Sequence, residues 1–426
     1  MKQRPLTLLL AAITLLYAAC TVPLAGWPEN FWGWRHELML LSGVQLMAVM
    51  SAAMLLAMRL VPVEQALGGL DKLYALHKRL GIAAGVLLSA HWLIKLSPKL
   101  LLALQWVEPR VKRGGAKDPL VSLAKDMGEW AAWAVLALVV LALLRAVPYG
   151  FWRKLHKLFA PLYLVGAFHG VVLMPAEQWT TPLGWLMGAL MAAGSGCALW
   201  SLGGRVGKAR RFAGTVSRVT PLAGGQFEVV CRLGDAWPGH VAGQFALVSF
   251  DAGEGAHPFT IASASRADGE LRFIIKALGD YTQSLAGRLR AGAPVAVEGP
   301  YGCFDARRGG RRQTWVAGGI GVTPFLAWLD AGRPLAPGQE VDFYYCVRKA
   351  ADAARLDELA AACARSGVRL HVIESDAGAL LDATQIPDVD DLWFCGPRGL
   401  GEALRTQLGA RGAKAPAFHH EAFSMR

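Results

Sequence analysis

Apolar positions follow two regimes along the chain. Up to about residue 204 they form long runs, at 5–25, 37–61, 73–97, 129–148, 155–175 and 182–202. Each is about the 20 residues that a helix needs to cross the hydrocarbon core of a bilayer. From residue 212 the runs shorten and alternate, as in Phe227-Glu228-Val229-Val230-Cys231 and Gln244-Phe245-Ala246-Leu247-Val248, the pattern of short antiparallel strands broken by turns. Beyond Gly299-Pro300-Tyr301-Gly302 the period changes again, to strands alternating with helices as in a parallel sheet. The pattern predicts a six-helix transmembrane bundle over 1–204, a basic linker over 205–211, an antiparallel β-barrel over 212–303 and an α/β parallel-sheet domain over 312–426.

Composition sharpens this division. Of 426 residues 54% are hydrophobic and 18% charged, below the roughly 25% charged of an ordinary soluble chain. The net charge of +12 comes entirely from the apolar part, which has 22 Lys and Arg against 9 Asp and Glu through residue 211, and 22 against 23 afterwards. This argues against nucleic acid as a partner of the soluble part and for an anionic lipid bilayer beside the first. Six spans place both termini on one side. That side carries 14 of the 22 Lys and Arg, so both termini are expected in the cytoplasm, although the loop at 98–128 is itself basic. The first run, with Tyr17-Ala18-Ala19-Cys20, has some character of a cleaved signal, but it is long enough to span. Seven cysteines include no CxxC pair, which excludes the usual ligand spacing of iron–sulfur and structural zinc sites.

Four histidines stand at membrane depth. His77 and His91 lie fourteen residues apart in the third run, and His156 and His169 thirteen apart in the fifth. The third and fifth helices run in the same direction, so His77 is level with His156, and His91 with His169 about 20 Å further out. Facing imidazoles at one depth are the axial pair of a six-coordinate haem iron, and two pairs make two stacked haems. The alternative is four interhelical packing residues. An interval of thirteen turns His169 about 140° from His156 on a straight helix, so a kink at Pro161 is expected to absorb the mismatch. Lys95, one turn beyond His91, would meet a haem propionate or an anionic or oxygen-derived acceptor, or else snorkel to the interface.

In the soluble part, His257-Pro258-Phe259-Thr260 has the aromatic, hydroxyl and low bulk of a strand on which a flavin ring stacks. Lys276-Ala277-Leu278-Gly279-Asp280-Tyr281-Thr282 supplies a cation, a turn glycine and a hydroxyl ahead of a helix, suited to a pyrophosphate. The strand Thr314–Ala317 leads directly into Gly318-Gly319-Ile320-Gly321-Val322-Thr323-Pro324. There the glycines permit close approach to a phosphate, Thr323 is expected to cap the next helix, and Pro324 suits its first turn. Arg348 and Lys349 follow the second strand of this domain, where an acidic residue would select NAD, and so favour the 2′-phosphate of NADPH over a merely solvated role. Cys395, before the turn Gly396-Pro397, is expected at the carboxyl edge of the sheet. The aromatic tail places Phe423 either over the flavin or in a frayed end.

Together these residues resemble a bacterial member of the ferric reductase and NADPH oxidase superfamily. The paired histidines resemble its bis-haem core, HPFT with KALGDYT its FAD-binding barrel, and GGIGVTP with CGP its nucleotide-binding domain. The resemblance covers nearly the whole chain except the outer loop and linker. It implies haem b at His77/His156 and His91/His169, FAD at His257 to Thr260 and Lys276 to Thr282, and nucleotide phosphates at Gly318 to Pro324. It implies nicotinamide at Cys395, a flavin shield at Phe423, and a location in the bacterial inner membrane. Two departures stand out: His257 occupies a position where many related flavoproteins have arginine, and the chain continues three residues past Phe423. The expected activity is electron transfer from cytoplasmic NADPH through FAD and two haems to dioxygen or a ferric chelate. The rivals are a quinone- or protein-linked reductase and a haem-binding sensor or anchor without turnover.

Overall fold

The computed structural model describes residues 4–110, 118–144, 149–251, 255–332, 335 and 337–421. The chain divides into two compact units, Met1–Val63 with Leu73–Val206, and Glu64–Lys72 with Gly207–Arg426. The short segment Glu64–Lys72, placed by hydropathy within the helical part, thus groups with the second unit.

The helices of the first part are α1 (Arg4–Ala25), α2 (Phe31–Ala57), the short α3 (Val61–Leu67), α4 (Leu70–Ala103), α5 (Pro119–Leu143), α6 (Tyr149–His156), α7 (Phe159–Leu173) and α8 (Pro182–Leu202). Six spans are long and apolar enough to cross a membrane, with α6 and α7 forming one of them. The protein is a multi-pass membrane protein. α5 begins ten residues ahead of its apolar run because Asp118 caps it, accepting from the amide of Leu120 at 2.8 Å, with Pro119 in the first turn. Hydropathy registers apolar burial and is blind to that cap. The fourth run was expected to reach 148, but residues 145–148 lie outside the described residues.

The fifth span breaks at Lys157–Leu158, between α6 and α7. The sequence pointed to Pro161 as the hinge. Pro161 instead lies in the first turn of α7, where an amide has no intrahelical acceptor to lose, and the mismatch between His156 and His169 is absorbed just ahead of it. α2 packs closely on α8, and α5 and α8 on α7, whereas among the described residues α4 lacks such close backbone packing with any other helix.

The second unit holds two sheets. The first contains β1 (Arg211–Leu222), β2 (Gln226–Arg232), β3 (Phe245–Ser249), β4 (His257–Thr260), β5 (Glu270–Lys276) and β6 (Pro294–Tyr301), in the order β4-β3-β6-β1-β2-β5. Its pairings are antiparallel. A bridge between Ile261 and Phe273 joins the two edges and closes the sheet into a barrel. Phe227, Val229 and Cys231 fill its core. Glu228, on the opposite face of β2, is buried against Arg355, whose guanidinium donates to it at 2.9 Å. Helix α9 (Asp280–Arg288) follows β5.

The second sheet is parallel, ordered β11-β10-β7-β8-β9. It comprises β7 (Arg312–Gly318), β8 (Glu340–Val347), β9 (Arg369–Glu374), β10 (Asp391–Cys395) and β11 (Ala417–His420), with α10 (Thr323–Asp330), α11 (Leu356–Ser366) and α12 (Arg398–Gly409) as crossover helices. The tail is therefore structured through His420: β11 pairs with β10. Phe423 lies outside the described residues.

Candidate electron-transfer sites

The membrane histidines are oriented by their ring nitrogens. Nδ1 of His77 donates to the carbonyl of Ala53 at 3.1 Å, and Nδ1 of His169 to that of Ala124 at 2.8 Å. A carbonyl only accepts, so the proton is on Nδ1 and the lone pair on Nε2. His91 Nδ1 meets Ser42 Oγ at 2.9 Å. The Ser42 hydroxyl gives its one proton to Met39 O, so its oxygen accepts from His91, and Nε2 again keeps its lone pair. Anchoring one ring nitrogen to protein while the other faces a metal is the usual arrangement of a ligating histidine.

His77 and His156 also meet. The rings of His77 and His156 have centroids 5.9 Å apart. Two imidazoles trans on one iron, each bonded at about 2 Å, place their centroids about 6 Å apart. His91 and His169 lie within electrostatic range of each other. Each rests against a glycine: a Cβ on Gly43 would lie 3.6 Å from His91 Cε1, and one on Gly128 would overlap the His169 ring, 2.6 Å from Cε1. No group of three or more protein ligands occurs among the described residues. A haem asks only two ligands of the protein, its porphyrin supplying the other four donors. The residues present fit two such groups.

In the second unit the two segments read as a flavin site come together: the His257 imidazole stacks on the Tyr281 ring at 4.1 Å and 12°. Phe259 and Thr260 pair with Ala246 and Phe245 of β3, and Pro258 pairs with Leu247 of the same strand. Lys276 closes β5. Thr282 is used within the turn, where its Oγ1 accepts from the amides of Leu278 and Gly279 at 3.0 and 3.1 Å. Tyr281 lies within the Lys276–Thr282 segment, but its stacking on His257 joins a helix to a strand and leaves no spacing signature in the sequence.

The glycine loop ends β7 at the carboxyl edge of the parallel sheet. Gly319 has φ 53°, a left-handed conformation that favours glycine. A Cβ on Gly318 would run into the Pro397 ring, and one on Gly321 into the carbonyl of Cys395. Two of the three glycines thus let the loop pack on Cys395-Gly396-Pro397. Thr323 does not cap α10. Val322 holds the cap position without a side-chain bond, and Thr323 Oγ1 donates back to Ile320 O at 3.2 Å. Pro324 sits in the first turn as expected. Arg348 is exposed, with Asp376 at 3.8 Å, and Lys349 lies next to it ahead of a short turn.

Cys395 is fully buried, and burial, then the nearby Glu421 carboxylate, pushes its thiol far up. It is a neutral thiol and supplies no thiolate nucleophile. Glu421 is itself buried, and burial drives its carboxyl well above the usual carboxylate range. Its Oε1 would lie 3.3 Å from a Cβ on Gly302. The Gly302 amide donates to Glu64 Oε1 at 2.7 Å. Glu64 is raised by burial, against this bond and Arg210, while Arg210 covers the Tyr301 ring at 4.3 Å. Neither acid was singled out from sequence.

Residues 42–167 match the family described as ferric reductase like transmembrane component, and residues 235–304 match an FAD-binding domain family. Together the two matches describe a ferric reductase-like transmembrane segment followed by an FAD-binding domain. That is the order of domains expected from the sequence. The vanillate O-demethylase oxidoreductase of Pseudomonas putida is 29% identical over 147 residues, 34% of this chain and 45% of that protein. The carnitine monooxygenase reductase subunit of Escherichia coli strain K12 is 25% identical over 227 residues, 50% of this chain and 69% of that protein. The chain spans between 34% and 53% of the length of the first curated relatives it matches. A flavohemoglobin structure from Malassezia yamatoensis aligns with 97% of this chain and 100% of its own at 14% identity and a TM-score of 0.50, a likeness of fold alone.

Proposed function

We propose that the protein passes electrons from cytoplasmic NADPH through FAD and two stacked b-type haems to an acceptor on the opposite face of a bacterial inner membrane, either dioxygen or a ferric chelate. The observation that carries this reading is the set of anchored Nδ1 atoms at His77, His91 and His169, which leaves Nε2 available at both levels. Packing histidines need not share one tautomer. When bound, FAD accepts a hydride and releases single electrons, and haem iron relays them one at a time.

The chain's own residues hold and order these groups. His257 and Tyr281 stack as one aromatic unit, with Thr260 on the same strand as His257 and Lys276 to Thr282 at the pyrophosphate. Gly318 to Pro324 hold the nucleotide phosphates, while Arg348 and Lys349 read its 2′-phosphate. Gly396 and Pro397 shape the turn that receives the nicotinamide. Cys395 lies on the nicotinamide side of the site, and Phe423 has the role of a displaceable flavin shield. The test is the purified full-length protein: two pyridine haemochromes per chain are expected, both reduced by NADPH. One haem or none overturns the arrangement. Acceptor-dependent NADPH oxidation, with and without superoxide dismutase, separates dioxygen from a ferric chelate.

A further inference from the structure

On α4, Lys95 lies one turn beyond His91, and its Nζ meets Glu129 Oε2 of α5 at 2.5 Å. Glu129 directly follows Gly128, the residue on which the His169 ring rests. The pair therefore bridges the two helices at the level of the outer histidines. Both side chains remain open to the surroundings, at 37% and 45% exposure. Lys95 is also positioned from below: its Nζ sits 4.5 Å over the ring of Trp92, a contact that favours a cation. Arg35 of α2 brings a second cation close, donating to the carbonyls of Ile94 and Lys95 at 3.2 Å each.

A snorkelling lysine needs no partner and points to water. Lys95 instead holds a carboxylate, on an aromatic platform, beside a second fixed cation. Neutral dioxygen carries no charge with which to displace Glu129, whereas a carboxylate-bearing anion can take the place of Glu129 by exchanging one charge-assisted hydrogen bond for another. We propose that Lys95 and Glu129 form the acceptor seat of the outer face, selective for an anionic ferric carboxylate chelate, with Glu129 as the built-in competitor that the chelate displaces. The proposal rests on the reading above, in which electrons emerge at His91 and His169. Each chelate takes one electron, Fe(III) becoming Fe(II) with no bond made and no proton taken up. One NADPH becomes NADP+ and a proton while two chelates are reduced.

Equilibrium binding of gallium(III) citrate, a redox-inert analogue of the ferric chelate, to oxidised full-length protein in nanodiscs tests the seat without turnover. Glu129→Gln removes the competitor and is expected to tighten binding about threefold, the scale of a half-exposed ion pair. Lys95→Gln is expected to weaken it about tenfold, and Lys95→Arg to restore it to within about twofold. In the double variant Lys95→Gln/Glu129→Gln the tightening should vanish, because Glu129 acts only through Lys95. Unchanged or weaker binding in Glu129→Gln, or wild-type binding in Lys95→Gln, overturns the proposal. Haem content and NADPH-driven haem reduction in wild type report on the wider reading separately. If those fail while the gallium series holds, the seat stands and the electron path does not.

Discussion

The two units hold their candidate cofactor sites by opposite means. In the membrane unit, chemistry rests on side chains: four imidazoles on α4, α6 and α7, three of them fixed by a single hydrogen bond. In the second unit, much of the site is backbone: Gly319 in a left-handed conformation, Gly318 and Gly321 packed on the Cys395–Pro397 turn, and amides at the start of α9. The difference follows from solvent. Hydrocarbon forces the backbone to satisfy itself within helices, so only side chains remain to ligate. A water-facing loop leaves its amides free to hold phosphate.

The sharpest break of that contrast is to remove a ligating side chain. His169→Leu or His91→Leu should lower haem content from two per chain to one and leave the haem held by His77 and His156, as read by haemochrome and low-temperature absorption. Loss of both haems together would mean that the two levels are not independent. Nucleotide binding should be untouched, since no part of that site depends on an imidazole of the bundle.

A smaller effect is expected from adding one methyl on each side. Gly128→Ala drives a Cβ into the His169 ring, and Gly321→Ala drives one into the Cys395 carbonyl. Each overpacks a tight contact, costing about 1–3 kcal/mol. The first should lower occupancy of one haem without changing the Michaelis constant for NADPH, and the second should raise that constant several-fold without changing haem content. Crossed effects would show that the two sites are not held separately.

The same contrast explains what was legible in the sequence. The membrane histidines stand out in the sequence as rare ionisable residues at matching intervals, and the six spans were readable from hydropathy. The start of α5 was not, since Asp118 acts through one capping bond. The break at Lys157–Leu158 was read one turn late because Pro161 is the visible helix breaker, although a first-turn proline costs a helix little. In the soluble part the glycine loop was found, but the role of Gly318 and Gly321 in packing on the 395–397 turn depends on a contact across more than seventy residues. Glu64 and Glu421 escaped notice because nothing local marks a carboxylate that becomes buried only in the folded unit.

A narrower change tests the nucleotide edge. Arg348→Ala should raise the Michaelis constant for NADPH about tenfold, the scale of one charge-assisted contact to phosphate, with little change for NADH. Equal losses for both nucleotides would assign Arg348 to its exposed pair with Asp376 rather than to the 2′-phosphate.

The smallest effect concerns Glu421 and shows as a dependence on pH. Its folded carboxyl is held well above the ordinary carboxylate value of 4.5, chiefly through burial and then through Asp71, with Lys72 opposing. Below pH 4.5 the group is protonated in both folded and unfolded chains and costs nothing. As pH rises through that value the unfolded chain ionises while the folded one stays neutral, so the unfolded state binds fewer protons and stability falls. The fall continues until pH passes the folded value, after which both states are ionised and the loss is constant. Glu421→Gln keeps the shape without the titration and should escape this loss. Thermal unfolding of the holoprotein, followed by flavin fluorescence, should therefore show the variant's melting temperature gaining on wild type as pH rises from about 4.5 to neutral. Other titrating groups are common to both proteins and cancel in the difference. A difference that stays flat, or shrinks as pH rises, would mean that Glu421 is ionised in the folded unit and balanced by a cation, with Lys72 the nearest candidate.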